Sequence, residues 1–265
     1  MKVVLLCGVA APARSNPFLP KSLFPRPVIK RDGEDRTPMD QLSANSAFSG
    51  VEFAENPEPR VPCVLLIDTS TSMQGMKLIE LNKGLQTYRD ELQKDPLAAK
   101  RVEVSIVTFG GRVQQRTNFV TAPDFDPPHL DAIGGTPMGE AIATAIDLVE
   151  DRKNAYRENG IAYYRPWIFL ITDGEPNDHW KPVVSKVERG EKEKAFCLFT
   201  VGVEGANMEV LEEISVRKPL WLMGLKFGEL FTWLSNSQQA VSRSSPGEEV
   251  PIEDPTSGPS GWASI

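Results

Sequence analysis

The chain has 265 residues and a formal net charge of −7. This length suits one domain of ordinary size with appendages, and such a domain buries enough apolar surface to fold without a disulfide or a structural metal. The acidic balance, with no separate block of Lys and Arg, argues against binding to a nucleic-acid backbone. No run approaches the ~18 apolar residues that a membrane span requires.

Cysteine and histidine are scarce, which limits the kinds of metal site. The chain has three cysteines and two histidines. Cys63 and Cys197 lie in apolar runs, where a cysteine behaves as a small buried hydrophobic residue, and this pattern predicts a reducing, cytoplasmic location. His129 and His179 belong to no Cys/His cluster, so a zinc site of the usual kind lacks ligands. We therefore expect any metal to be held by oxygen.

The two ends of the chain differ in composition from the middle. Residues 12–60 are rich in proline and polar residues without a helical or strand period, which predicts an irregular N-terminal extension over residues 1–60. Residues 1–13 also resemble a short secretory signal, so export is the alternative to a cytoplasmic location. Met39 opens a more natural leader, and residues 1–38 are then an incorrectly assigned start. Residues 242–265 are predicted to be a disordered tail.

Between these ends, short apolar runs alternate with amphipathic segments. The run 62–67 is continuously apolar, which is typical of a strand covered on both faces. Residues 76–94 carry large apolar side chains at spacings of three and four, which is typical of a helix packed on one side. The same patterns predict further strands over 102–109, 113–120, 167–172, 195–203 and 219–223, and further helices over 136–150, 181–194, 207–215 and 229–241.

This alternation predicts a doubly wound α/β fold for residues 61–241. Strands separated by helices form a mostly parallel central sheet with helices flanking it, because the crossovers are right-handed. The turn at Gly110 and Gly111 adds one antiparallel edge strand. In such a sheet the functional crevice lies beyond the carboxyl ends of the strands.

Three polar clusters fall at those strand ends. They are residues 68–72 (Asp-Thr-Ser-Thr-Ser), residues 134–139 (Gly-Gly-Thr-Pro-Met-Gly) and residues 172–176 (Thr-Asp-Gly-Glu-Pro). Hard oxygen donors in this number favour Mg²⁺, with Mn²⁺ or Ca²⁺ tolerated. The candidate ligands are two carboxylates and three hydroxyls, from Asp68, Asp173, Ser70, Ser72 and Thr136.

Each cluster also has a purely structural interpretation. Ser70 or Ser72 suits the cap of the helix that follows. Thr136, with proline after it, suits the N-cap of the next long helix, and Asp173 opens a common turn. One cluster alone favours the structural interpretation. All three, in this order and each at the boundary of an element, favour a metal site.

The three motifs in register resemble the metal-ion-dependent adhesion site (MIDAS) of von Willebrand factor A (VWA) domains. The resemblance covers residues 61–241. It implies a Mg²⁺ ion contacted by Ser70, Ser72 and Thr136, with Asp68 and Asp173 acting directly or through water. It also implies that a Glu or Asp of a protein partner completes the coordination shell.

Within the family, the chain looks most like small bacterial VWA proteins of the tellurium-resistance and stress type. Such proteins are often encoded with a protein kinase and a PP2C-like phosphatase, which are therefore the expected partners. One departure stands out, because Thr71 occupies a position where the family usually has glycine. If that position requires a positive φ, the loop is strained and metal binding suffers.

An enzyme and a scaffold protein are the alternatives to a metal-dependent interaction module. A phosphohydrolase of the haloacid-dehalogenase type needs a second carboxylate two residues after Asp68, where this chain has Ser70. The glycines at 134 and 139 resemble part of a P-loop, yet Glu140 follows where a lysine should meet phosphate. The scaffold alternative requires a vestigial metal site. We therefore predict a non-enzymatic module that binds Mg²⁺ and a protein partner.

Overall fold

The computed structural model describes residues 3–6, 52–257 and 261–265. The strands are β1 (Val3–Leu6), β2 (Val61–Asp68), β3 (Val102–Gly110), β4 (Arg112–Thr121), β5 (Trp167–Thr172), β6 (Cys197–Gly202), β7 (Leu220–Leu222), β8 (Glu249–Ile252) and β9 (Ala263–Ser264). The helices are α1 (Met76–Lys94), α2 (Pro96–Arg101), α3 (Met138–Glu158), α4 (Lys181–Lys192), α5 (Met208–Ile214) and α6 (Phe227–Ser242).

The central sheet has seven strands in the order β4-β3-β2-β5-β6-β7-β9. Strands β3, β2, β5, β6 and β7 run parallel to one another, and β4 pairs antiparallel with β3 at one edge. The predicted doubly wound α/β fold with an antiparallel edge strand is confirmed. A second antiparallel pair, β7 with β9, closes the opposite edge. It was not predicted, because a strand of two residues shows no period.

Both faces of the sheet are covered, which explains the continuously apolar strands. Alternate residues of a strand face opposite sides. In β2, Cys63 and Leu65 pack with α1 and α6, whereas Val64 and Leu66 pack with α3 and α4. All four side chains are completely buried.

A buried charge network closes the amino ends of the strands. The guanidinium of Arg60 donates to the carboxylate of Glu103 at 2.7 Å, and both side chains are fully buried. Arg152 and Tyr156 of α3 donate to the same carboxylate. These partners compensate the buried charge of Glu103 within the protein.

The segment after α6 is ordered where the structure describes it, so the predicted disordered tail over 242–265 is wrong. Strand β8 pairs antiparallel with β1, and β9 extends the central sheet. Trp262 is 1% exposed, and its ring lies 5.5 Å from the ring of Trp233 in an edge-on arrangement. The Ser, Pro and Gly residues around Trp262 favoured the prediction of disorder, because the sequence near Trp262 does not show that this residue packs against the distant Trp233.

The predicted irregular N-terminal extension is wrong for β1, which forms a strand because β8 supplies its hydrogen-bonding partner. The signal-like interpretation of residues 1–13 and the alternative start over 1–38 otherwise fall on residues outside the described part of the chain. None of the described helices has the length and hydropathy that a membrane span requires.

The C-terminal anchor can be tested by truncating it. We expect Trp262→Ala to lower the free energy of unfolding by about 3–5 kcal/mol, because removal of a buried tryptophan side chain leaves a cavity. Urea denaturation followed by circular dichroism measures this change. Ile265→Ala is the control, because that side chain is 63% exposed. Equal stability of the two variants would mean that the C-terminal segment does not belong to the core.

Candidate metal centre

The parallel pairing of β2 with β5 places two carboxylates at one edge of the sheet. Ile67 lies opposite Ile171 in the ladder. Asp68 is the last residue of β2, and Asp173 directly follows β5, so both side chains reach the crevice at the carboxyl ends of the strands. Asp68 is fully buried and Asp173 is 2% exposed.

The carboxylate of Asp68 is held by two donors. Its Oδ1 accepts a bond from the backbone N–H of Ser70 at 2.8 Å, and its Oδ2 accepts a bond from Thr172 Oγ1 at 2.6 Å. Burial raises the pKa of Asp68, and these hydrogen bonds oppose that rise. Sequence reasoning missed Thr172 as a functional residue, although it begins the Thr-Asp-Gly motif.

Two serines link the first loop to the second carboxylate. The hydroxyl oxygens of Ser70 and Ser72 lie 2.9 Å apart. Ser72 Oγ donates to Asp173 Oδ1 at 2.6 Å. Ser70 is buried, whereas Ser72 is exposed at the mouth of the crevice. A hydrogen-bonded chain thus connects four of the five predicted ligands.

The fifth predicted ligand, Thr136, faces the same space. A Cβ atom built on Gly174 would lie 3.2 Å from Thr136 Oγ1, 3.6 Å from Asp68 Oδ2 and 3.7 Å from Ser72 Oγ. Oxygens from the first two motifs therefore border one small space beside Gly174 of the third motif, and this space is open because residue 174 has no side chain. Within the described residues, no group of three or more His, Cys, Asp or Glu side chains offers a metal site. Hydroxyls therefore complete the donor set, and this set of hard oxygens fits a Mg²⁺-class cation.

The structural interpretation of the three hydroxyls is wrong. Among the helices that the structure describes, none receives a side-chain cap from Ser70, Ser72 or Thr136. The start of α3 is capped instead by Asp178, whose carboxylate accepts bonds from two amides of the first turn at 3.1 and 2.8 Å. The hydroxyls therefore need an explanation other than helix capping.

Thr71 does not strain the first loop. It begins a short 3-10 helix, and among the described residues Lys194 is the one non-glycine residue with a positive φ. The backbone N–H and the hydroxyl of Thr71 both donate to the carbonyl of Gly134, at 2.9 and 3.0 Å. The left-handed conformation falls on Gly134 itself, which has a φ of 70°. The threonine thus ties the first motif to the second.

Lys77 is a site residue that sequence reasoning missed. Its Nζ lies 2.5 Å from Asp173 Oδ2, and its side chain is 21% exposed. It stands in the first turn of α1, where the helix dipole disfavours a cation. This unfavourable position was the sequence feature that could have indicated an acidic partner for Lys77. The apolar stripe of the helix carries no information about which carboxylate the lysine contacts.

The chain also matches a family model. The model of the von Willebrand factor type A domain matches residues 63–220. The chain belongs to this family. VWA domains commonly bind a metal ion through a MIDAS and mediate protein interactions. A comparison with curated protein sequences found no match.

Solved structures share the fold of this VWA domain at low sequence identity. The pilus adhesin SpaC from Lactobacillus rhamnosus GG, in an open conformation, has 13% identity and a TM-score of 0.52, covering 69% of this chain and 30% of that one. Proximal thread matrix protein 1 from the mussel byssus has 18% identity and a TM-score of 0.49, covering 74% of this chain. This chain spans 49% of that mussel protein. Manganese-loaded TRAP protein of Plasmodium vivax has 17% identity and a TM-score of 0.48, covering 66% of this chain and 73% of that one.

The support of Asp68 by Thr172 can be tested directly. We expect Thr172→Val to lower the free energy of unfolding by about 1–3 kcal/mol in EDTA, because the buried carboxylate loses a donor. Chemical denaturation measures the loss. Thr144→Val is the matched control, since the Thr144 hydroxyl donates to a carbonyl within its own helix. If the two variants were equally stable, Thr172 would not support the site.

Proposed function

We propose that this VWA domain binds a Mg²⁺-class divalent cation and uses it to hold an acidic side chain of a protein partner. The observation that carries the proposal is the convergence of oxygens from the first two loops on Gly174 of the third loop, next to Asp173, which accepts a bond from Ser72. When bound, the cation supplies a positive centre that attracts a carboxylate. The proposed ligands are Asp68, Ser70, Ser72, Thr136 and Asp173.

The arrangement supports a binding role more than catalysis. Asp68 has both carboxylate oxygens engaged by Ser70 and Thr172, which holds it as a fixed acceptor. A serine stands two residues after Asp68, so the nucleophile and acid pair of a phosphohydrolase is missing. We therefore propose a non-enzymatic function, with Mg²⁺ as the ion and Mn²⁺ as a substitute for experiments.

Exposed apolar side chains on the loops of the site indicate the chemistry of the partner. Ile133 is 68% exposed, and its backbone N–H donates to the carbonyl of Thr69 at 2.7 Å, which places it beside the first motif. Met76, next to Lys77 at the start of α1, is 58% exposed. Large exposed apolar side chains beside a polar site are typical of protein contacts. We propose a partner segment with a Glu or Asp flanked by apolar residues.

A more specific proposal concerns the identity of the protein partner and the cellular location of the domain. The resemblance to small bacterial proteins of the tellurium-resistance and stress type favours a kinase or a PP2C-like phosphatase as the partner. Cys63 and Cys197 are both buried, where a cysteine behaves as a small hydrophobic residue, and we propose a reducing, cytoplasmic location. The loops over 124–135 and 175–180 are then the expected determinants of specificity.

Metal binding can be tested by thermal unfolding in EDTA and then with Mg²⁺ or Mn²⁺. A cation that binds only the folded chain stabilises it by about 2.7 kcal/mol at a hundred times its Kd. We expect this stabilisation in the wild type and its loss in Gly174→Ala, because the added methyl group fills the space between the oxygens. Gly228→Ala is the matched control, since a Cβ there meets nothing within 4 Å. The absence of any shift in the wild type at millimolar metal would favour the scaffold alternative.

The partner chemistry can be tested by selecting displayed random peptides on the Mn²⁺-loaded chain and eluting them with EDTA. We expect the eluted peptides to be enriched in an acidic residue with apolar neighbours. Counter-selection on Asp68→Ala removes peptides that bind elsewhere. Ile133→Ser should weaken the selected peptides by about tenfold, in line with the loss of an apolar contact residue at an interface. Enrichment of sequences without Asp or Glu would contradict the proposal.

A further inference from the structure

We propose that Lys77 is a built-in counter-cation of the metal centre. It weakens binding of the divalent cation and leaves the loaded site with a net positive charge that favours an acidic partner. This role rests on the proposed function, because it concerns the same site.

The contacts of Asp173 are the first support. One carboxylate oxygen accepts a bond from the ammonium group of Lys77 at 2.5 Å, and the other accepts a bond from the hydroxyl of Ser72 at 2.6 Å. The side chain of Asp173 is completely buried. Screening by water is weak at such a position, so the lysine charge acts strongly on anything that binds there.

The loop after β6 passes close to the ammonium group of Lys77. A Cβ atom built on Gly205 would lie 3.7 Å from Lys77 Nζ and 3.1 Å from the carbonyl oxygen of Asp173. Gly205 has a φ of 101°, a conformation that other residues rarely adopt. The backbone thus passes close to both groups. Lys77 is therefore part of the wall of the centre, whereas an ordinary surface lysine extends into solvent.

The charges of the site show what the lysine changes. The two buried carboxylates, Asp68 and Asp173, together with the ammonium group of Lys77, leave a net charge of minus one. A bound divalent cation turns this into plus one, and the carboxylate of a partner then brings the site to neutrality. Without Lys77, the loaded site would already be neutral, and a partner's carboxylate would add an uncompensated charge. The lysine therefore lowers affinity for metal and raises affinity for an acidic ligand.

The position of Lys77 in the first turn of α1 indicates that its charge is stabilised by Asp173 and not by the helix. The first turn of a helix carries partial positive charge, so a lysine there is not favoured by the helix itself. Lys83 on the same helix, by contrast, pairs with Glu80 one turn away and is 67% exposed. The two lysines therefore differ in burial and in the carboxylate that each one meets, which makes Lys83 a matched control.

The experiment measures binding of Mn²⁺ alone to the full chain, from the electron paramagnetic resonance signal of the free ion. The variants are Lys77→Gln, which is neutral but keeps a donor for Asp173, Lys77→Arg, which keeps the charge, and Lys83→Gln. We expect Lys77→Gln to bind Mn²⁺ about tenfold more tightly than the wild type, because one unit of repulsion is removed a few ångströms from the ion. The other two variants should stay within about twofold of the wild type.

Thermal unfolding supplies a second readout and shows whether each variant folds. In EDTA, Lys77→Gln should unfold at a lower temperature than the wild type, because the buried Asp173 loses its cation. With saturating Mn²⁺, the rise in unfolding temperature should be larger in this variant than in the wild type. Lys77→Met, a second neutral variant, should show the same two changes in unfolding temperature.

The outcomes separate this role from the proposed function. Equal Mn²⁺ affinity in the wild type and Lys77→Gln would overturn the role of Lys77 and leave the metal centre in place. Binding in Lys77→Gln but not in the wild type would support the role of Lys77 and overturn metal-dependent function for the natural chain. No binding in either protein would overturn both.

Discussion

The parallel register of β2 against β5 is the constraint on which the candidate site depends. It brings Asp68 and Asp173 to one edge of the sheet although they are far apart in sequence. Two buried carboxylates at one edge repel each other, and the surrounding donors offset this repulsion. Thr172 and the backbone of Ser70 support the first carboxylate, while Ser72 and Lys77 support the second. These contacts within the chain hold both carboxylates in place without a bound cation.

The buried charged groups at the two ends of the sheet differ in how fully other groups of the protein surround them. At the amino ends, Glu103 is surrounded by Arg60, Arg152 and Tyr156, so its carboxylate is fully engaged within the protein. At the carboxyl ends, the oxygens lie around an open space beside Gly174. A closed network contributes to the specific packing of the fold. An open set of oxygens is suited to a ligand, which is why function is proposed at this end.

Contacts between loops set the geometry of the site. Thr71 binds the carbonyl of Gly134, and Asp178 caps α3, so each of the three motifs is held by another one or by its neighbour. The hydroxyls of Ser70, Ser72 and Thr136 are therefore not needed to terminate helices. This division of roles explains why residues that resemble helix caps in isolation face a shared space in the folded chain. It also explains how a threonine is accommodated where glycine is usual in the family.

The sequence by itself determined the α/β fold, the bounds of β5 and α1 and the three motifs, because periodicity and strand ends depend on neighbouring residues. It also placed the five candidate ligands at one edge, although their role stays a proposal. Only the tertiary structure decided that the C-terminal segment is folded, that Thr172 supports Asp68 and that Lys77 pairs with Asp173. Trp262 has no local pattern that reveals its buried partner, and Lys77 belongs to a helix whose apolar stripe does not include it. These features depend on contacts between residues distant in sequence, and a local pattern carries no information about such contacts.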